Sequence, residues 1–416
     1  MKLTKNKRSR VKWTDLMNKR VDKINAKKLK IALLNTTCGG FGDIVMAAKF
    51  KKYLEDWYSC EVTIITTEPE KFESLKIKGI VPLKVKWGGE YSCEYGNYYS
   101  TYMNYTIFKF NDTIKYDIIF ELPSSTYKFS QSRIQKLIKS SRKDNTYSVS
   151  EYNGENYYYD VPLGVGGENL GLLLEDITNV KRHNLIKMPY ALAYIVGPDK
   201  HYYQGDNIIG ESGSTVGRKC IIGFIEMVCK KNYQIHDDFS ILVPNWFVEK
   251  LLHDQNYKSA FFKYLTKYFP TIILIHNVEG KINYNYLAVG KHKKILYIRG
   301  DIFSKPIPRE TMISLYKYSV KDILVTGDQS LTDVLSCCRD KNIWYEILDW
   351  KHDFAFNLEY LMPNKYYQSV RTSCGTLHGY KYNSDYRKLL KQWDFRKRGK
   401  PTINGIINYA IYKKSK

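Results

Sequence analysis

At 416 residues the chain exceeds what one typical core takes and fits about two domains. Its 65 Lys and Arg outnumber 42 Asp and Glu, and the formal net charge of +23 suits polyanions such as nucleic acid, an anionic membrane surface or phosphorylated ligands, or else a surface of solvated lysines. No stretch approaches the roughly 18 uninterrupted apolar residues of a membrane span, no apolar signal segment follows the basic N-terminus, and the 8 cysteines lack paired CxxC spacing; the expectation is a soluble protein with reduced thiols in a cytoplasmic compartment.

Residues 1–28 are basic and lack an apolar stripe, which fits an arm or a peripheral helix. From "KIALLN" onward, short apolar runs alternate with helical patterns: "EVTIITT" at 61–67, "YDIIFELP" at 116–123 and "PYALAYIVG" at 189–197 read as strands of a parallel sheet covered on both faces. The tyrosine-rich stretch 85–115 breaks this rhythm as an insertion or an antiparallel excursion, and "NLGLLLED" reads as a helix behind a glycine-rich loop.

A second alternating series follows. It runs through the helix "RKCIIGFIEMVCKK", the strands "SILVPN", "TIILIHN" and "KILYIRG", the helix "PRETMISLYKYS", and the strands "DILVTG" and "NIWYEIL". Two such series predict an α/β protein with two Rossmann-like doubly wound domains facing a cleft. The expected division is a basic arm at 1–28, an N-terminal domain at 29–198, a C-terminal domain at 199–380 and a basic helical extension at 381–416.

Two strand-turn-helix connections carry the candidate chemistry. In the first, "NTTCGGFGDIVMAAKFKKYLED" (35–56), Gly39, Gly40 and Gly42 either make a tight turn or clear the backbone for a sugar or phosphate. Asp43 either caps the following helix or is a carboxylate kept ionised by that helix's N-terminus for proton abstraction. The turn lacks the Lys-Ser/Thr ending of a P-loop. The second connection, "DILVTGDQSLTDVLSCC" (322–338), sets Thr326, Gly327, Asp328, Gln329 and Ser330 at a helix start whose N–H groups and dipole suit a diphosphate.

Around the second turn, Arg299 in "YIRGDIF" offers forked donors to a diphosphate or to a surface ion pair. Lys351 in "LDWKHDFAFNLEYL" neutralises phosphate or belongs to a helix start packed by Trp350 and Phe354. His276 reads as an ordinary hydrogen-bonded residue. With no HExxH, paired CxxC, compact DxD or Walker motif, no metal and no cofactor are expected.

The paired α/β series and "VTGDQSLTDVL" resemble glycosyltransferases of the two-domain GT-B fold, and "GFGDIVMAAKFKKYLEDWYSCEVTIITTEPE" resembles the first unit of the heptosyltransferase-like branch. The resemblance implies a nucleotide-sugar donor held at 326–333, with Asp333 at the position of the ribose-holding acid, although families more often have Glu there. It further implies an acceptor-side loop at Gly39, Gly40 and Gly42, Asp43 as the base on an acceptor hydroxyl, and inverting, metal-independent transfer to a glycan, protein or lipid. The other readings are a non-catalytic GT-B-like protein binding nucleic acid or another polyanion through the basic arm, and a sugar-nucleotide epimerase.

Overall fold

The apolar runs become the strands of two main sheets in the computed structural model, which describes residues 12–36, 41–87, 105–109, 116–124, 145–152, 159–195, 214–253, 265–291, 293–346, 352–361, 367–372, 375–381 and 384–416. The chain is mixed α/β and divides into two units. The first unit comprises Met1–Leu174, Phe356–Leu358 and Leu389–Lys416, and the second Glu175–Ala355 and Glu359–Lys388.

The first unit opens with two short helices, α1 (Trp13–Asn18) and α2 (Lys23–Ala26), followed by β1 (Lys30–Asn35), α3 (Gly42–Tyr58) and β2 (Glu61–Thr66). Next come α4 (Pro69–Ser74), β3 (Ile80–Pro82), β4 (Lys84–Trp87), β5 (Tyr105–Lys109), β6 (Ile118–Glu121) and β7 (Thr146–Ser148). Five strands form a parallel sheet in the order β3-β2-β1-β6-β7. The central strands are near-continuous apolar runs because both of their faces are covered. In α3, Ile44, Ala47, Phe50, Leu54 and Tyr58 recur at helical spacing and are buried. The Phe50 ring meets Phe120 of β6 edge-on at 5.2 Å, and the helix stops at Ser59, whose left-handed φ of 55° lets its N–H reach back to Glu55. Within the tyrosine-rich stretch, β4 and β5 pair antiparallel, and its residues 88–104 and 110–115 lie outside the described set.

The second unit contains β8 (Tyr190–Tyr194), α5 (Ser214–Asn232), β9 (Asp238–Leu242), α6 (Asn245–His253), β10 (Thr271–Val278), β11 (Lys281–Ala288) and β12 (Ile295–Arg299). It continues with α7 (Arg309–Tyr318), β13 (Asp322–Val325), α8 (Asp328–Cys337), β14 (Asn342–Tyr345), α9 (His352–Leu361, of which Phe356–Leu358 are counted with the first unit), β15 (Tyr367–Thr372) and β16 (Gly375–Lys381), and α10 (Ser384–Gln392) leads out of it. Its nine strands lie in the order β11-β10-β12-β9-β8-β13-β14-β16-β15. The inner six are parallel, and antiparallel hairpins flank them. Ile221, Phe224, Ile225 and Val228 of α5 pack in one core with Phe239, Ile241, Leu296 and Leu324 of the sheet.

Three expectations about organisation are corrected. The strand "YALAY" is β8 at the centre of the second sheet, so the break falls between Leu174 and Glu175 and not near 198. The segment "NLGLLLED" is extended: Gly171 has a φ of +102° and a side chain there would sit 2.6 Å from the Trp393 carbonyl, while Leu172 exchanges backbone hydrogen bonds with Trp393 and Phe395. The C-terminal segment, with α11 (Phe395–Arg398) and α12 (Lys400–Lys414), belongs from Leu389 onward to the first unit. There Asn408 Nδ2 donates to the Leu16 and Lys19 carbonyls at 2.8 and 3.0 Å, so the basic stretch from residue 12 is a docked pair of helices.

Candidate functional site

Chain order dictates where a ligand fits each sheet. In the second unit the chain lays down β8, β9 and strands beyond, then returns to place β13 on the other side of β8. Helical connections therefore diverge at the β8/β13 boundary, and the crevice outside the carboxyl ends of those strands is the topological switch point, where open α/β sheets take ligands. The turn Thr326–Gly327 and the start of α8 stand at this boundary.

The side chains of that turn face inward. Thr326 is fully buried and its hydroxyl donates to Glu346 Oε2, at the end of the neighbouring strand β14. Tyr345 donates to Asp328 Oδ1 at 3.1 Å, the Ser330 hydroxyl bonds Tyr316, and Gln329 is buried. Gly327 is the residue preceding the helix, and among the described residues a Cβ added there would meet nothing closer than Ser330 Oγ at 3.7 Å. What the turn offers a ligand is accordingly backbone at Gly327 and the positive end of a ten-residue helix.

Glu346 is the unusual group. Its carboxyl is buried, Oε1 has no hydrogen-bond partner among the described residues, and burial pushes its pKa up to about 7 while the Thr326 hydroxyl pulls the other way. Asp333 lies one helical turn further along α8, where Arg309 of α7 forks onto it, Nη1 to Oδ2 at 2.9 Å and Nη2 to Oδ1 at 2.8 Å. The same guanidinium donates to Glu175. Burial by itself would lower the Arg309 pKa, but the two carboxylates outweigh it and hold the charge more firmly.

At the end of β12, Arg299 pairs in the same two-pronged way with Asp301, at 3.0 and 2.6 Å. Gly300 between them is required by packing, since a Cβ there would lie 2.8 Å from Asn245 Cα. Phe303 then folds onto Tyr194 at the end of β8, with ring centroids 5.1 Å apart. His276 is buried in β10 with Nε2 3.0 Å from Asn285 Nδ2. Lys351 and Trp350 lie outside the described residues.

The first unit repeats the topology on a smaller scale. Its sheet reverses at the β1/β6 boundary, and α3 springs from the end of β1 there. Gly42 is the first residue of α3, where a Cβ would touch nothing within 4 Å among the described residues. Asp43 is half-buried in the first turn of the helix and the capping position belongs to Phe41, so Asp43 is not the N-cap residue. Gly39 and Gly40 lie outside the described residues. Beneath the turn, Asn35 Nδ2 donates to the Leu122 carbonyl at 2.9 Å and to the Asp43 carbonyl at 3.4 Å, Thr66 donates to Asn35 Oδ1 at 3.3 Å, and Ser124 donates to buried Glu121 at 3.0 Å.

Asn35, Thr66, Glu121 and Glu346 were not singled out from the sequence, yet they share a signal: each is a polar residue closing the apolar run of a parallel strand, in "ALLN", "TIIT", "IIFE" and "NIWYE". Such a residue stands at the carboxyl edge of its sheet, where ligands bind. Among the described residues, no group of three or more His, Cys, Asp or Glu is placed to hold a metal ion, and no helix is long and apolar enough to cross a membrane.

No protein-family model matches the chain, and no curated protein matches it. Among solved structures, a glycosyltransferase from Rickettsia africae ESF-5 aligns over 93% of this chain and 97% of its own, at 10% identity and a TM-score of 0.26. A superposition that loose carries no argument about fold or activity.

Proposed function

We propose that this chain is a glycosyltransferase that takes a nucleotide-sugar donor on its second unit. The observation that supports the reading is the position of Gly327: an uncapped, sterically open helix start at the topological switch point of a nine-stranded sheet. The donor's diphosphate is bound by the backbone of Gly327–Ser330 at the N-terminus of α8. Thr326, Asp328, Ser330 and Asp333, whose side chains have partners within the protein, hold the turn in shape, and Arg299 and Lys351 contribute positive charge.

The acceptor hydroxyl is deprotonated by Asp43 of the first unit. Its oxygen forms the new bond to the anomeric carbon as the bond to the diphosphate breaks, with inversion, and the proton passes to the carboxylate. Charge developing on the leaving diphosphate is met by the α8 dipole and N–H groups, so no metal is needed. Release of nucleoside diphosphate from UDP-, GDP- and ADP-sugars in the presence of an acceptor library tests the reaction. Asp43→Asn is expected to lower turnover by roughly 10²–10⁴-fold with donor affinity unchanged, and an unaltered rate removes Asp43 from the mechanism.

A second reading has one observation in its favour: the acid matched to ribose binding, Asp333, is gripped by Arg309. A chain without turnover that binds polyanions through its +23 charge would show nucleic-acid affinity falling steeply with salt and no sugar transfer.

A further inference from the structure

Among the described residues β11 is an edge of the nine-stranded sheet, eight residues long, hydrogen-bonded on one side to β10. Protein edges of that length are ordinarily blunted by charge, proline or a bulge. In a chain with a net charge of +23, the run Ile282–Gly290 contains no charged residue and no proline. The large residues of the strand point outward: Ile282 is 51% exposed, Tyr284 63% and Tyr286 66%. They alternate along the strand and so share one face of the sheet.

The regular part of the strand has two defined ends. At one end the hairpin turns through Glu279 and Gly280, which have φ values of 49° and 88°. At the other, pairing with β10 jumps from Tyr286 to Ala288 and leaves Leu287 as a bulge. Between them the unbroken ladder Lys281–Tyr286 contains a palindrome of character, Ile282-Asn283-Tyr284-Asn285-Tyr286, centred on Tyr284.

We propose that β11 pairs antiparallel with β11 of a second copy about a twofold axis through Tyr284, joining two nine-stranded sheets into one. Residues directly opposite in an antiparallel pair lie on the same face. This register sets Tyr284 against Tyr284, Ile282 against Tyr286 and Asn283 against Asn285, and turns six exposed apolar side chains into one contiguous patch. Aromatic and aliphatic cross-strand pairs of this kind favour association. Lys281 falls opposite Leu287, so no like charges are opposed, whereas two copies with a net charge of +23 meet repulsion on more basic surfaces. A twofold contact made of the same patch on both copies closes and does not propagate into fibres.

Sedimentation equilibrium of the full chain over a concentration series tests the proposal. The wild type is expected at twice the chain mass. Tyr284→Lys, which puts two ammonium groups on the axis, is expected to raise the dimer dissociation constant at least tenfold with an unchanged circular dichroism spectrum, while Tyr284→Phe remains dimeric. Tyr284→Cys is expected to form a covalent dimer with a short bis-maleimide, because a residue on the axis meets its own copy. A monomeric wild type at all concentrations, a Tyr284→Lys protein that dimerises as tightly as the wild type, or a Tyr284→Cys protein that fails to cross-link overturns the proposal.

Discussion

Arg309 holds both carboxylate oxygens of Asp333, at 2.8 and 2.9 Å, and reaches Glu175 with the same guanidinium. All three groups are largely removed from water, so the second helical turn of α8 is fastened to α7 and to the first residue of the unit by one cation between two anions. This latch grips α8 at Asp333, five residues beyond the first residue of the helix, Asp328.

Breaking the latch by removing its cation leaves two buried carboxylates without their counter-charge. Arg309→Ala is expected to cost about 3–5 kcal/mol in urea unfolding. Replacing all three members together by Met, Gln and Asn analogues (Arg309→Met, Glu175→Gln, Asp333→Asn) is expected to recover most of that loss, since the desolvation penalty disappears with the charges.

Glu346 imposes a pH dependence of opposite sign to that of a paired carboxylate. Its carboxyl loses a proton near 4.5 when the chain is unfolded and at about 7 when folded, because burial penalises the anion. Between those values the folded state carries the extra proton, so this group's effect on stability becomes less favourable as pH rises through the window and is constant above it. Glu346→Gln is expected to be more stable than the wild type by about 3 kcal/mol near pH 8, with the advantage fading toward about pH 4. Thermal melts of both proteins across that range provide the check.

Asn408 bonds two carbonyls at the C-terminal end of α1. Asn408→Ala leaves those acceptors without their donor and is expected to cost about 1–3 kcal/mol. Limited trypsin digestion should cut the Lys19–Lys28 region of the variant well before that of the wild type.

The alternation of apolar runs and helical patterns was sufficient to read an α/β chain, the strands β1, β2, β6, β10, β12, β13 and β14, and the turn at Gly327, because buried parallel strands are continuous apolar runs. It failed where that rule does not hold. β11 carries its large residues on the exposed face, which defeats a search for buried alternation, and β15 and β16 are polar hairpin strands. The helix read into "NLGLLLED" fails at Gly171, whose φ of 102° and bridge to Gly164, with the bridge of Leu172 to Asp394, commit that segment to loop and bridge geometry. Strand order, and with it the switch point, depends on pairings distant in sequence. So does the Arg309 latch, whose partners lie 24 and 134 positions away.

The donor site is tested most directly by isothermal titration of UDP-, GDP-, ADP- and CMP-sugars into the wild type and Gly327→Asp. Aspartate is a favoured N-cap residue and Gly327 has an ordinary φ of −72° with room for a Cβ, so the variant should fold at least as stably while its carboxylate occupies the helix N–H groups. One donor is expected to bind the wild type and to lose at least tenfold in affinity in Gly327→Asp. No binding by any of the four, or binding equal in the two proteins, contradicts a diphosphate site at the start of α8.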